Sequence, residues 1–553
     1  VSDLLDDVEA AAGLAVYGAA DSPVRARLAA DGVAGLLAAK DPTLWGPAAE
    51  DVAKVRLGWL DTFRRSRDLL AQLAELRSEI ADLTNVVLCG MGGSSLAPEV
   101  ICRTLGVPLA VLDTTDPQQI RATMFGGHPE GSDEAAALLR RTVVVVASKS
   151  GSTVETDSHR RVFWQALRDL GMSDAEAARH FVVVTDPGSP LEAAAKESGM
   201  VVLPADPEVG GRYSALTAFG LVPSALAGVD VAELIDQAEA LAGSLGADRD
   251  NPALALGAAL GDAAAAGRDK LALIDDGTGV VGLGDWAEQL VAESTGKTGA
   301  GILPVVLERP DAPGSTGPDV LAVATGGALA AGAVPGGGQP VDLAVNGPLG
   351  AHFLAWEYAT AVASRVIGVE PFDQPNVAES KENTNRILAG GPPHEEPLFT
   401  EGPLRVYAPA AAGGDTAAVL RWLLGQVGDR GYLAVMAYLD RFGDADVAGV
   451  RPALAAAGGR PVTFGWGPRF LHSTGQYHKG GPQVGVFLQV TGAIGLDLAV
   501  PGRDFTFGQL IAAQAAGDRK ALADRGRPLV HIHLADRTAG VPALVAAAAA
   551  TAD

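Results

Sequence analysis

Cysteine is almost missing: the 553 residues include only two, Cys89 and Cys102. Two thiols in so long a chain exclude a disulfide framework, and their spacing fits neither a zinc-ligand pair nor a Cys-x-x-Cys redox motif. A reducing, cytoplasmic setting is expected. Basic charge is also short, with 42 Lys and Arg against 66 Asp and Glu and a net charge of −24. A chain this acidic repels polyanions, which excludes nucleic acid and anionic membrane surfaces as partners. Aromatic residues make up 5% although hydrophobic residues reach 48%, so the core falls to Ala, Val and Leu. Long apolar runs are lacking too. The longest charge-free run, residues 321–341, is interrupted by glycines and by Pro335 and Pro340, and reads as strand plus loop rather than a membrane helix. The stretch from Val1 to Glu9 is acidic where a secretory leader would be basic and then apolar, so no leader is expected.

A chain of this length requires two or three domains. Its most informative stretch is Val143-Val-Val-Val-Ala-Ser148-Lys149-Ser150-Gly151-Ser152-Thr153. The β-branched run predicts a strand buried on both faces, and the hydroxyl-rich segment predicts a loop opening a helix. Several hydroxyls and free N–H groups at a helix N-terminus suit a phosphate monoester, and Lys149 adds a cation. Alone, the segment would be an ordinary serine-rich cap. The pattern recurs, however, at Val86-Val-Leu-Cys-Gly90-Met-Gly92-Gly93-Ser94-Ser95. Gly90-x-Gly92 is not a dinucleotide fingerprint, because Ser95 occupies its sixth position. With further strands at 109–113 and 181–185, these units predict a parallel sheet whose hydroxyl-rich loops share one edge.

Val209-Gly210-Gly211-Arg212-Tyr213-Ser214 is another glycine-rich turn, placing an arginine where it can reach an anion or cap its own loop. A second alternating block follows, with a strand near 270–275 and a helix ending in Glu293-Ser-Thr-Gly-Lys297. Gly296-Lys297-Thr298 mimics a P-loop, but Val291 stands where its first glycine belongs, which rejects nucleotide binding. Helical spacing over residues 349–367 precedes Pro371-Phe372-Asp373-Gln374-Pro375, and prolines near 392–403 mark a boundary. Beyond residue 404 strands and helices alternate again around the polar segment Leu471-His472-Ser473-Thr474-Gly475-Gln476-Tyr477-His478. His531 and His533 share a strand face without a third ligand, so a structural role is expected and no metal site.

Together these motifs resemble the glucose-6-phosphate isomerase (phosphoglucose isomerase) family from about Leu83 to His533. The resemblance implies sugar-isomerase (SIS) type three-layer α/β/α domains with mostly parallel sheets, plus a helical N-terminal lead-in. The boundaries expected are 1–80 for the lead-in, 81–245 for the first domain, 246–400 for the second, and 401–553 for a segment completing the second. It implies that Ser94, Ser148, Lys149, Ser150, Thr153 and Gln374 hold the substrate phosphate, with Gly92, Gly93 and Gly211 beside the substrate. Glu293 would be the base moving a proton between C2 and C1, Arg212 the cation at the enediolate, and His472 with Lys381 the ring-opening pair. His472 is preferred to His478 for its Leu-His-Ser-x-Gly-Gln-Tyr surroundings. Its place after Lys381, like Asp41-Pro-Thr-Leu-Trp45, is similar to the isomerase part of fused transaldolase/glucose-6-phosphate isomerase proteins. A homodimer with neither cofactor nor metal is implied. Aldose–ketose chemistry makes the same demands: one carboxylate base, a fixed cation, and an acid–base pair for the ring oxygen. The alternatives are a non-catalytic sugar-phosphate sensor and an isomerase preferring mannose 6-phosphate or an amino-sugar phosphate.

Overall fold

The computed structural model describes residues 4, 7–19, 22–330, 332–391 and 395–552. It begins with a hairpin rather than a helix: β1 (Val8–Ala11) pairs antiparallel with β2 (Leu14–Tyr17). The two linking residues, Ala12 and Gly13, have φ of 49° and 81°, the handedness that a two-residue hairpin turn requires. Helical segments follow. In the Asp-Pro-Thr-Leu-Trp motif, the Asp41 carboxylate accepts the Thr43 N–H at 2.9 Å and starts the short turn Pro42–Trp45. Trp45 then donates its indole N–H to the Ala361 carbonyl at 2.9 Å and packs edge-on against Phe372 at 4.9 Å. The motif thus anchors the lead-in to the segment carrying Gln374.

Five parallel strands come next: β3 (Asn85–Gly90), β4 (Ala110–Leu112), β5 (Thr142–Ala147), β6 (Phe181–Thr185) and β7 (Val201–Pro204). Their order is β4-β3-β5-β6-β7. In β5, Val143 and Val145 enter one apolar cluster while Val144 and Val146 enter another, so alternate residues hold helical layers on both faces. The winding reverses between β3 and β5. Their carboxyl-end loops diverge there and leave the crevice in which doubly wound sheets bind ligands.

The second sheet contains β8 (Lys270–Asp275), β9 (Leu303–Leu307), β10 (Val320–Gly326) and β11 (Leu343–Asn346), in the order β1-β2-β11-β10-β8-β9. The opening hairpin forms its antiparallel edge, so the helical lead-in is preceded by two strands that the sequence reading did not include. The last segment builds a third sheet from β12 (Phe399–Glu401), β13 (Leu404–Tyr407), β14 (Tyr432–Tyr438), β15 (Val462–Trp466), β16 (Gly485–Gly492) and β17 (Leu529–Leu534). Its order is β12-β13-β17-β16-β14-β15. Residues 401–553 therefore do not complete the second sheet. β14 is buried along its whole length, and such a strand needs covering layers on both faces of its own sheet.

The third unit is bolted to the first by buried ions. Arg441 and Arg469 both reach Glu99, at 2.7 and 2.9 Å, and Arg537 meets Asp116 at 2.6 Å. The segment after β15 is thereby fixed over the crevice of the first sheet. No helix among the described residues is long and apolar enough to cross a membrane.

Candidate active site

A cavity of about 520 Å³ opens at the carboxyl edge of the first sheet and is walled by all three units. The first unit contributes Gly93, Ser94, Lys149, Ser150, Thr153, Gly211 and Arg212; the second contributes Gln289, Glu293, Gln374 and Lys381; the third contributes His472. Eleven of the thirteen residues expected at the site, taken from every motif in the chain, thus meet in one place. Ser148 and Gly92 lie just behind the wall. The Ser148 hydroxyl is 3.0 Å from that of Thr153, so it orients the threonine from beneath.

The glycines at this junction have no substitute, because three backbone segments touch there. A Cβ on Gly92 would lie 2.7 Å from the Gln289 amide nitrogen and 2.8 Å from the His472 carbonyl oxygen, and one on Gly93 only 2.0 Å from the Gly211 carbonyl oxygen. No flexible side chain is available to move out of the way at Gly93. Gly93→Ala is expected to separate the two loops, lower the melting temperature by a shift corresponding to roughly 1–3 kcal/mol, and reduce sugar-phosphate binding. Calorimetry and equilibrium binding check both effects.

The hydroxyl loop leads into the helix Val154–Asp169, where the Thr153 side chain makes no capping bond. No side-chain cap from Thr153 therefore competes with an anion at this helix N-terminus. Ser150 and Ser152 are paired at 2.9 Å. Lys149 sits in the wall, but its ammonium donates to the Asp186 carboxylate at 2.9 Å and to the Asp206 carbonyl at 3.0 Å. Burial lowers its pKa, and Asp186 opposes that only in part. Arg56 also lines the cavity.

Arg212 is buried and fully engaged. Its Nε donates to Ser294 Oγ at 2.8 Å, one terminal nitrogen donates to Gln374 Oε1 at 2.8 Å, and the other donates to the carbonyls of Pro371 and Asp373. The guanidinium lies 3.3 Å from Glu293. On the same helix, Leu283–Thr295, Gln289 is one turn before Glu293 and donates to its carboxylate at 3.0 Å and to the His472 carbonyl at 2.7 Å. Carboxylate, guanidinium and the histidine loop are therefore held in one bonded frame. Lys297, the lysine of the P-loop mimic, instead ties down the turn below Gln374 through Asp373 at 2.6 Å; burial and nearby Arg212 push its pKa down to about 8.

His472 extends toward Glu155, with Nε2 3.2 Å from a carboxylate oxygen. Burial alone would raise the Glu155 pKa, but the hydrogen bond and charge of His472 outweigh it and hold the carboxyl below its ordinary value. His478 lies elsewhere, buried against Tyr432 and Phe487, and burial drives its pKa well below that of free imidazole. Of the two histidines, only His472 faces the cavity. His531 and His533 both bond the Thr491 hydroxyl, at 2.8 and 2.9 Å.

Sequence reading missed Glu155, Gln289, Arg56 and Asp186. Gln289 carried a usable signal, since a spacing of four places it on the Glu293 face of the helix. Glu155 resembled any first-turn carboxylate, and nothing local connects it to a histidine far along the chain.

Comparison with known proteins adds a second line of support. Residues 76–248 match the family model for phosphoglucose isomerase. A probable glucose-6-phosphate isomerase of Haloarcula marismortui is 34% identical over 229 residues, 41% of this chain and 50% of that protein. A glucose-6-phosphate isomerase of Rubrobacter xylanophilus is 29% identical over 384 residues, 58% of this chain and 86% of that protein. Several other curated relatives align over less than half of their own length. The crystal structure of a glucose-6-phosphate isomerase from Chlamydia trachomatis superposes with a TM-score of 0.51 at 18% identity, covering 70% of this chain and 90% of that one. The fold is thus an α/β architecture of mostly parallel sheets similar to theirs.

Proposed function

We propose that this chain, similar in sequence and fold to glucose-6-phosphate isomerases, interconverts D-glucose 6-phosphate and D-fructose 6-phosphate through an enediolate. The observation that carries the reading is the convergence of Glu293, Arg212, His472 and Lys381 on one cavity whose far wall is the hydroxyl loop. Phosphate binds at Ser94, Ser150 and Thr153 and the open first turn behind them, with Arg56 and Lys149 supplying positive potential. Holding the phosphate away from the reacting carbons fixes C1 and C2 against Glu293. Glu293 takes the proton from C2 and returns it to C1. Arg212, already desolvated and immobilised, stands beside the oxygen that gains charge and pays no reorganisation cost as it does so. His472 and Lys381 shuttle the proton that opens the pyranose ring.

One chain supplies every one of these residues. The implied homodimer is therefore not needed to complete the cavity, and we infer a cytoplasmic enzyme, in keeping with two buried free cysteines. A coupled assay following glucose 6-phosphate formed from fructose 6-phosphate, without added metal, tests the reading. Turnover per chain is expected to stay constant as the protein is diluted through any dimer dissociation seen by sedimentation. Saturable sugar-phosphate binding without turnover would point to a sensor, and higher kcat/KM on mannose 6-phosphate or an amino-sugar phosphate would reassign the substrate.

A further inference from the structure

We propose that Gln514, with Thr115 behind it, is a positioning residue that fixes the protonated nitrogen of His472 through Glu155. Its catalytic consequence rests on the isomerase reading; its geometry does not. Gln514 belongs to the helix Phe507–Ala523 of the third unit, Thr115 follows β4 in the first, and both are shielded from solvent, at 3% and 0% exposure. The Thr115 hydroxyl donates to Gln514 Oε1 at 2.6 Å, and Gln514 Nε2 donates to Glu155 Oε1 at 2.7 Å. His472 Nε2 lies 3.2 Å from that same oxygen.

The donor and acceptor roles follow in order. An ionised carboxylate only accepts, so the amide must turn its NH2 to Glu155 and its oxygen to Thr115, whose hydroxyl then donates. For the same reason His472 must present N–H at Nε2, which leaves Nδ1 as the basic nitrogen of the neutral ring. Other charges facing Glu155 do not replace this arrangement. Lys381 acts on it from the second unit by charge alone. His159, one turn along its own helix, bonds the Thr114 carbonyl at 2.7 Å, and burial lowers its pKa to about 4, so it is neutral. Asp518, one turn beyond Gln514, is engaged by Lys479 at 2.7 Å.

Two substitutions test the relay. Gln514→Leu keeps the bulk and removes both hydrogen bonds. It is expected to lower kcat/KM for cyclic glucose 6-phosphate about 10- to 100-fold, by analogy with the loss of an outer partner that orients a metal-bound histidine. An aldose phosphate lacking the ring-closing hydroxyl should be affected less than about threefold, because it needs no ring opening. Gln514→Glu keeps the shape. When protonated, the new carboxyl can donate to Glu155 and accept from Thr115, so activity on the cyclic substrate should approach wild type on the acid side. It should fall away as pH rises and two carboxylates face each other, a limb the wild-type profile lacks. Nitrogen NMR of the resting protein supplies a readout independent of turnover: Gln514→Leu should lose the Nε2–H signature of His472. Equal losses on cyclic and open-chain substrates, a Gln514→Glu profile parallel to wild type, or an unchanged His472 tautomer would each overturn the proposal. An inactive wild type would sink the isomerase reading while the NMR result still judged the relay.

Discussion

Glu293→Gln is expected to lower kcat by roughly 10³- to 10⁴-fold, near the top of the range for losing a general base, with KM changed less than about threefold. The amide has the size and shape of the carboxylate, and its single oxygen can stay toward Arg212, 3.3 Å from one carboxylate oxygen; its NH2 then replaces the oxygen that accepts from Gln289 at 3.0 Å, so that one bond is given up while Gln289 keeps its bond to the His472 carbonyl. The phosphate loop is untouched. What disappears is a basic atom that can accept a proton from carbon. Exchange of the C2 hydrogen of glucose 6-phosphate with deuterium from the solvent should cease in parallel with isomerisation. Substantial retained turnover, or exchange without isomerisation, would remove Glu293 as the base.

The same carboxylate shows how far the sequence could be read. Glu293 was identifiable from its motif, and its face of the helix from periodicity. Its partner Arg212 was identifiable only as an arginine after two glycines, with capping as the plain alternative. What decides between those readings is that Arg212 is held by Pro371, Asp373, Gln374 and Ser294, residues some 80 to 160 positions away. Lys149 illustrates the converse. Its place in a hydroxyl-rich loop suggests a bare cation, yet Asp186 at the end of the next strand neutralises part of that charge. Local pattern specifies which residue types stand at a loop; the tertiary neighbours decide how much of their charge is left for a ligand.

The fold divides along the same line. β5 was legible because four consecutive valines suit a strand covered on both faces, and each valine is buried. The hairpin of residues 8–17 was not. Its strands are only four residues long and rich in alanine, its turn is Ala-Gly rather than Asn-Gly, and β2 is stabilised by lying along β11. Five of the six strands of the third sheet were legible, β12 was not, and the segment was expected to complete the second domain rather than to build a sheet of its own. Strand pairing is non-local, and an apolar strand fits any parallel sheet equally well. The buried Arg537–Asp116 pair, 2.6 Å apart and 421 residues apart in sequence, helps fix where this unit sits.

Arg212→Lys is expected to reduce kcat about 10²- to 10³-fold, the scale of losing a preorganised donor at a developing oxyanion, and to raise KM several-fold. Net charge is unchanged, so the loss measures geometry rather than charge. A planar guanidinium serves Ser294, Gln374 and two carbonyls at once from three nitrogens; a single ammonium with three donors cannot span those directions. Gln374, a wall residue expected to contact the substrate phosphate, then loses the 2.8 Å bond that holds it, which is the basis of the expected KM effect. The Pro371 and Asp373 carbonyls lose a buried donor, at a cost of about 1–3 kcal/mol each where no water replaces it, so the melting temperature should fall as well. Lys297 still anchors the Asp373 carboxylate at 2.6 Å, which limits the damage to the turn around residue 371. The informative comparison sets Arg212→Lys beside Glu293→Gln: both lose turnover, but only the arginine variant should also lose stability and weaken binding of inorganic phosphate. An Arg212→Lys enzyme with near wild-type kcat would place the oxyanion away from Arg212 and leave the guanidinium a purely structural clamp.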